Sequence, residues 1–174
     1  AAQVYDTTHQ KWVSENIGRV RSRGLDWEIS GRLNDNWQIF AGYTLNNSKY
    51  LIGENGRNSV SPYLKGMNFS RHTPKHMLRL YTSYVLPFDN RKWKVGGGMS
   101  LQSKTSSLGY VKQGGYALWN ADIHYQPNEH INISLIGSNL FNKRYFENMK
   151  TRYNGINNFL GEGRNVTLKV DWKF

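Results

Sequence analysis

The chain has 174 residues, no cysteine and a formal charge of +11, from 23 Lys and Arg against 12 Asp and Glu. The lack of cysteine excludes a disulfide framework and a thiolate metal site, and no apolar run approaches the roughly 18 residues of a membrane helix. The positive charge suggests polyanionic partners. Together with 11 Tyr and 6 Trp, it fits either a nucleic-acid binder or a membrane barrel with aromatic girdles.

Alternation of apolar and polar residues, which is typical of a strand with one apolar face, recurs along the chain. It predicts seven strands, within residues 25–33, 37–45, 75–86, 93–101, 116–125, 131–135 and 165–174. In the last of them, every even-numbered residue from Val166 to Phe174 is apolar.

The predicted connections alternate strictly between short (34–36, 87–92, 126–130) and long (46–74, 103–115, 141–163). This alternation is typical of an up-and-down outer-membrane barrel with short periplasmic turns and long outer loops. The length of the predicted strands is also close to the roughly 9–11 residues with which a tilted strand crosses a bilayer. The alternative is a soluble sheet with an apolar inner face. Against it, the opposite face is highly charged and no amphipathic helix is available to cover the apolar one.

Aromatic residues mark one end of the predicted strands. Those on the apolar face near a short turn or the chain end are Trp37, Tyr84, Trp93, Tyr125, Trp172 and Phe174. Such a row is expected at a membrane interface. Because the last strand runs from a long loop toward the short-turn side, we expect the C-terminus to be periplasmic.

Three arginines precede the first apolar strand. Arg19, Arg21 and Arg23 share the parity of Leu25, so they would face outward and could pair with lipopolysaccharide phosphates. A solvated strand extension is an equally good interpretation, and a bulge at Gly24 would reverse the parity.

The inward face has two features of interest. Gly96 and Gly98 would let a bulky body, such as a plug inside the lumen, approach the wall. Asp26 and Glu28 are explained more simply as a charged wall than as an acid/base pair.

Catalytic and metal sites are not expected. No Ser/His/Asp arrangement stands out, so we expect no enzymatic activity. His72 and His76 are separated by Pro74 and lack a third ligand, so we expect no metal site.

The long loops contain aromatic and basic residues that suit a bulky anionic or metal-chelate ligand. The candidates for ligand binding are Tyr110, Lys112, Tyr153, Asn157 and Phe159.

Several segments together resemble TonB-dependent outer-membrane siderophore receptors, nearest to the ferric-coprogen and ferripyoverdine receptors. These are VRSRGLDWEISGRLNDNW (20–37), RHTPKHMLRLYTSY (71–84), VKQGGYALWNADIHYQP (111–127), GSNLFNKRYF (137–146) and GEGRNVTLKVDWKF (161–174). The resemblance implies an all-β, 22-stranded antiparallel transmembrane barrel plugged by an N-terminal domain. It also implies uptake of ferric siderophores of the hydroxamate type, with energy from TonB. The terminal strand would be read by the barrel-assembly machinery.

The chain departs from this pattern because it has seven strands and neither a plug nor a TonB box. We therefore expect residues 1–174 to be the C-terminal part of such a barrel, in the outer membrane of a Gram-negative bacterium, in contact with lipid and lipopolysaccharide. The resemblance implies no cofactor beyond the Fe(III)-siderophore substrate, and no nucleic-acid partner. The alternatives are a passive outer-membrane channel or another barrel, such as that of an autotransporter, and a soluble basic β-module that binds nucleic acid.

Overall fold

The structure, a computed structural model, describes residues 2–15, 19–51, 66, 68, 71, 73–106, 111–149 and 158–174. The chain divides into two units. Unit 1 comprises Ala1–Gly24 and Asn46–Arg71, and unit 2 comprises Leu25–Leu45 and His72–Phe174. Within the described ranges, no helix is both long enough and apolar enough to cross a membrane.

The described elements are almost all strands. They are β1 (Ala2–Asp6), β2 (Lys11–Glu15), β3 (Arg19–Asn34), β4 (Trp37–Leu51), β5 (His76–Val85), β6 (Trp93–Gln102), β7 (Thr105–Ser106), β8 (Lys112–Gln113), β9 (Tyr116–Tyr125), β10 (Ile131–Ser138), β11 (Phe146–Asn148), β12 (Phe159–Leu160) and β13 (Asn165–Trp172). A single 3₁₀ turn, Asp89–Arg91, is the only helical element among the described residues.

One seven-stranded sheet has the order β13-β10-β9-β6-β5-β4-β3. Within this sheet, strands that follow one another along the chain are neighbours, as in an up-and-down arrangement. The ladders from β4 to β13 are antiparallel. All seven predicted strands are confirmed. The remaining strands form three small hairpins, β1-β2, β7-β8 and β11-β12.

β3 and β4 are longer than predicted, with 16 and 15 residues. Residues 46–51, which the sequence assigns to a loop, continue β4; that assignment was wrong. Within unit 1, Lys49 forms a bridge with Asn68, and the hydroxyl oxygens of Ser22 and Ser48 lie 2.9 Å apart. Polar sequence extends a strand here because the ladder satisfies backbone groups whatever the side chains are.

The apolar side chains of the sheet in unit 2 are exposed rather than packed in a core. Leu168 is 67% exposed and Trp172 68%, whereas Ser134 on the opposite face is only 2% exposed. Met149 is the one buried apolar side chain among the described residues. A sheet in water would bury the opposite set of residues, so this arrangement suits an apolar surrounding on one side.

Two of the three short turns of the sheet are closed by Asn side chains. Asn34 Oδ1 accepts a hydrogen bond from the Asn36 amide at 2.9 Å. Asn128 Oδ1 accepts from the amides of His130 and Ile131, each at 3.0 Å. Side chains of this type hold a turn by replacing backbone acceptors, which explains why turns form where the sequence predicts them.

Candidate functional site

A chain of hydrogen bonds crosses the polar face of the sheet. The hydroxyl of Tyr81 donates to both carboxylate oxygens of Asp122, at 3.1 Å each. The same carboxylate lies 2.8 Å from His124 Nε2, and His124 Nδ1 lies 2.8 Å from Ser134 Oγ. These contacts join β5, β9 and β10 on one face.

The chain of hydrogen bonds continues to β13, which lies at one edge of the sheet. Asn132 Nδ2 lies 3.3 Å from Ser134 Oγ and 3.3 Å from Asp171 Oδ2. Lys169 Nζ in turn lies 2.7 Å from Asp171 Oδ1. Polar groups thus fix the pairing of β10 with β13 on this face.

The Asp122, His124 and Ser134 contacts resemble a Ser-His-Asp arrangement, which the sequence analysis did not find. Asp122 and His124 alternate on one strand, and Ser134 lies opposite His124 in the β9-β10 register. The register around the 126–130 turn was the signal that could have revealed it. The hydroxyl of a nucleophile must reach its substrate, but Ser134 is only 2% exposed. The three residues are therefore arranged as an internal polar link.

The ring of Tyr81 lies over two glycines of the neighbouring strand. A Cβ atom at Gly96 would come 2.5 Å from Asp122 Oδ2 and would also collide with the Tyr81 hydroxyl. A Cβ at Gly98 would lie 3.1 Å from Tyr81 Cδ2 and 2.8 Å from the Leu80 carbonyl oxygen. The bulky group that lies against these glycines is thus the sheet's own Tyr81 ring, while the approach of a plug inside the lumen stays a prediction.

The aromatic residues predicted at the short-turn end lie there in pairs. Trp37 and Tyr84 meet edge to face at 6.3 Å, Trp93 and Tyr125 stack at 4.4 Å, and Trp172 and Phe174 stack at 6.3 Å between ring centroids. The indole N–H groups of Trp37 and Trp93 donate to Thr82 Oγ1 and Asp89 Oδ2, at 2.6 and 3.0 Å. Their contact with a membrane interface remains a prediction.

A second aromatic group lies on the apolar face at the end of the long connections, and the sequence analysis missed it. Trp119 and Phe141 meet edge to face with ring centroids 6.2 Å apart. Tyr43 Oη lies 2.8 Å from Nδ1 of His76. His76 thus pairs with a phenol, whereas His72 lies outside the described residues.

Two long connections are joined to each other. The Gln113 side-chain amide donates to the Phe146 carbonyl oxygen at 3.1 Å and accepts from the Phe146 amide. The rings of Tyr116 and Tyr145 lie 4.8 Å apart. Burial, and then the charges of Glu147 and Glu162, raise the pKa of Tyr145 above the ordinary value for a phenol, so this hydroxyl stays neutral. The described parts of the two connections therefore lie against each other at Gln113 and Phe146.

The predicted ligand-binding residues are only partly described. Lys112 is exposed in β8, and Phe159 is exposed in β12, where it pairs with Asn148. Tyr110, Tyr153 and Asn157 lie outside the described residues. The hydrogen bonds that join the two connections come instead from Gln113, and the ring of Tyr145 packs on Tyr116; neither role was predicted from the sequence.

Asn139 fixes the segment that leaves β10. Its side chain donates to the carbonyl oxygens of Lys143 and Glu162, each at 2.9 Å, and accepts from the Lys143 amide at 2.8 Å. Its φ of +47° is a conformation that Asn tolerates well. Asn142 Oδ1 accepts from the Arg164 amide at 3.0 Å. Part of the GSNLFNKRYF segment is thus a structural clamp between the start and the end of one long connection.

The arginine cluster is described within unit 1. Arg21 and Arg23 are exposed and flank Ser22, whose hydroxyl meets Ser48. Because neighbouring strand residues point to opposite faces, the two arginines lie on the face away from that contact. Arg19 begins β3, and its side chain lies outside the described set.

Comparison with known families matches residues 2–140 to the family described as TonB dependent receptor-like, beta-barrel. This match covers most of the chain. The chain belongs to the TonB-dependent receptor β-barrel family.

Relatives within the TonB-dependent receptors support the assignment. The ferric-pyoverdine M114 receptor PbuA of Pseudomonas sp. (strain M114) is 32% identical over 100% of this chain and 21% of its own length. The structure of the pyoverdine outer membrane receptor FpvA from Pseudomonas aeruginosa PAO1 superposes with a TM-score of 0.77. It is 26% identical and covers 97% of this chain and 23% of that one. The siderophore receptor PiuA from Acinetobacter baumannii superposes with a TM-score of 0.75, at 27% identity, over 91% of this chain and 22% of its own.

The chain spans about a fifth of the length of the TonB-dependent receptors that it matches. The predicted family and the antiparallel barrel fold are confirmed. The total of 22 strands, the domain limits and the individual site residues remain predictions.

Proposed function

We propose that the protein takes part in TonB-energised uptake of ferric siderophores across the outer membrane. The observation on which this rests is a sheet whose large apolar side chains are exposed, in a chain related over its whole length to a ferric-pyoverdine receptor. The substrate is an Fe(III)-siderophore of the hydroxamate type. The protein is not an enzyme and requires no cofactor of its own.

The orientation follows from the two kinds of connection. The long connections face the cell exterior, and the short turns and the C-terminus face the periplasm. The aromatic pairs of Trp93 with Tyr125 and of Trp172 with Phe174 lie at the periplasmic membrane interface. Arg21 and Arg23, together with Arg19, bind phosphates of lipopolysaccharide. β13, which precedes Phe174, is the strand read by the barrel-assembly machinery, and TonB acts through parts of the receptor other than these strands.

Ligand recognition is assigned to the joined loops. The bonds between Gln113 and Phe146 join the connections that carry Lys112 and Phe159, which lowers the entropic cost of presenting both residues to one ligand. An exposed ammonium group and an exposed ring suit a bulky anionic chelate. Tyr110, Tyr153 and Asn157 complete the proposed set.

Uptake of radioactive iron tests the proposal. Cells that lack the gene, with and without the restored gene, receive either a ferric hydroxamate or a ferric catecholate siderophore. We expect uptake to depend on the restored gene, to favour the hydroxamate, and to stop when TonB is removed. Uptake that persists without TonB would instead support the passive channel. Absence of uptake for both chelates would overturn the proposal.

Cysteine accessibility tests the membrane placement, and the cysteine-free chain makes it a clean measurement. We expect Leu168→Cys to be protected from a water-soluble maleimide in outer membranes, because this position faces lipid. Lys169→Cys on the polar face should be labelled, and both should react after the protein is unfolded. Equal labelling of the two positions in intact membranes would contradict the assignment of the faces.

A further inference from the structure

A cavity of about 340 Å³ opens on the polar face of the sheet in unit 2, toward the short turns. Its lining includes Arg32 from β3, Gln38 and Phe40 from β4, Ser83 from β5 and Lys94 from β6. Tyr81 forms a further part of the lining. The cavity is distinct from the loops to which ligand recognition is assigned.

The aromatic wall of this cavity is held in place. Phe40 and Tyr81 face each other across the β4-β5 ladder. The hydroxyl of Tyr81 is fixed by both oxygens of Asp122, and its ring is seated over Gly96 and Gly98. A ring fixed at its far end and supported from below gives a preformed surface, which a ligand need not order.

The charges in the cavity are unbalanced. Arg32 and Lys94 both line it, and no carboxylate does. Within the described residues, neither cation forms an ion pair. The carboxylate of Asp122, which bonds to the lining residue Tyr81, also bonds to His124. Two cations with no carboxylate among the lining residues attract an anion.

We propose that this cavity binds a carboxylate group between Arg32 and Lys94. A guanidinium group takes a carboxylate through two parallel hydrogen bonds, and an ammonium group adds a point charge. The rings of Phe40 and Tyr81 suit the carbon skeleton that a carboxylate brings with it, whereas inorganic phosphate would satisfy only the cations. The carboxylate belongs either to a free organic acid or to an acidic side chain of a polypeptide. This inference does not rest on siderophore uptake.

The test is an NMR titration of the full-length protein in detergent, with ¹³C-labelled Phe and Tyr rings. The probes are succinate, the blocked peptide acetyl-Gly-Glu-Gly-amide and inorganic phosphate. We expect saturable shifts of the Phe40 and Tyr81 rings with succinate, with the peptide, or with both. Tighter binding of succinate identifies a free acid as the source, and tighter binding of the peptide identifies an acidic side chain.

Charge-removing variants provide the controls. Arg32→Gln and Lys94→Gln should each weaken binding about tenfold or more, the range for hydrogen bonds to charged groups. Arg79→Gln removes the same charge from the polar face outside the cavity, and it should change affinity less than about twofold at physiological salt. Arg32→Lys keeps the charge but loses the paired bonds, so its loss should be intermediate.

Three results would overturn the proposal: no saturable shift with either carboxylate probe, equal losses in Arg32→Gln and Arg79→Gln, or tighter binding of phosphate than of both carboxylates. Ring signals of Tyr116 and Tyr125, away from the cavity, report whether each variant is folded.

Discussion

The apolar and polar faces of the sheet use different contacts. On the apolar face, large side chains contact one another, as in the pairs of Trp93 with Tyr125 and Trp119 with Phe141. On the polar face, directed hydrogen bonds join side chains of different strands, as between Tyr81 and Asp122. The surrounding medium completes the packing of the first face, whereas hydrogen bonds within the chain hold Tyr81 and its partners on the second face. The effect of a substitution on stability should therefore depend more on the face of the sheet that it changes than on the strand in which it lies.

The largest expected effect comes from placing a charge on each face of β13. Leu168→Arg should lower the free energy of unfolding in lipid vesicles by about 2–4 kcal/mol, the cost of a basic residue near the bilayer centre. Thr167→Arg, one residue away on the opposite face, should change it by less than about 1 kcal/mol. Denaturant titration followed by Trp fluorescence measures both. Equal costs would show that the two faces meet the same medium.

The second largest difference between the faces is expected when a methyl group is added to each of two adjacent glycines of β6. Gly96→Ala should destabilise by about 1–3 kcal/mol, because the new Cβ collides with the Tyr81 hydroxyl and Asp122. Gly97→Ala, whose Cβ would meet only the Asn120 carbonyl oxygen at 3.7 Å, should be neutral or slightly stabilising. The same denaturant titration applies. A neutral Gly96→Ala would mean that Tyr81 does not occupy this space.

Removing a tyrosine hydroxyl from each face of β5 is expected to have a smaller effect. Tyr81→Phe should cost about 0.5–1.5 kcal/mol, the net contribution of a typical hydrogen bond, and should release the ring over Gly96. Tyr84→Phe should cost less than about 0.5 kcal/mol, because that residue packs through its ring on Trp37. Aromatic NMR line widths should show faster motion of the Tyr81 position alone. If both variants cost the same, the bond to Asp122 contributes nothing.

The smallest expected effect on stability comes from an ion pair that is not part of the seven-stranded sheet. At the β1-β2 hairpin, hydrogen bonding from His9 holds the pKa of Asp6 below its ordinary value of 3.8. A depressed carboxyl pKa means that the stabilisation is present above pH 3.8 and is lost as the pH falls through the lowered pKa. NMR signals of Thr8 should move in that window while those of the sheet stay fixed. Asp6→Asn should abolish the movement; a shift that persists would exclude this carboxyl as its cause.

The strand pattern and the alternation of connections were predictable because each depends on one strand at a time. Period-2 alternation identifies β13 whatever its neighbours are, and the Asn128 turn is encoded locally. This also explains why the apolar face could be assigned without knowing that its residues are exposed.

The contacts between strands were not predictable in the same way. The seat of Tyr81 over Gly96 and the link from His124 to Ser134 both depend on register, which the alternation of a single strand does not contain. The clamp made by Asn139 depends on a left-handed backbone and on Glu162, far along the chain. The polar continuation of β4 to Leu51 carries no apolar alternation at all, so composition favoured a loop there.

The strict alternation of faces in β9 has a consequence for how such a sequence can change length. Removing one residue between Trp119 and Asp122 would exchange the environments of everything beyond it on the strand, placing His124 toward lipid and Tyr125 toward the polar link. Removing two residues would keep the faces and shift only the register. Strands of this kind therefore tolerate insertions and deletions of an even number of residues, whereas the long connections tolerate any number. Among natural variants, odd-numbered insertions and deletions should be confined to the connections.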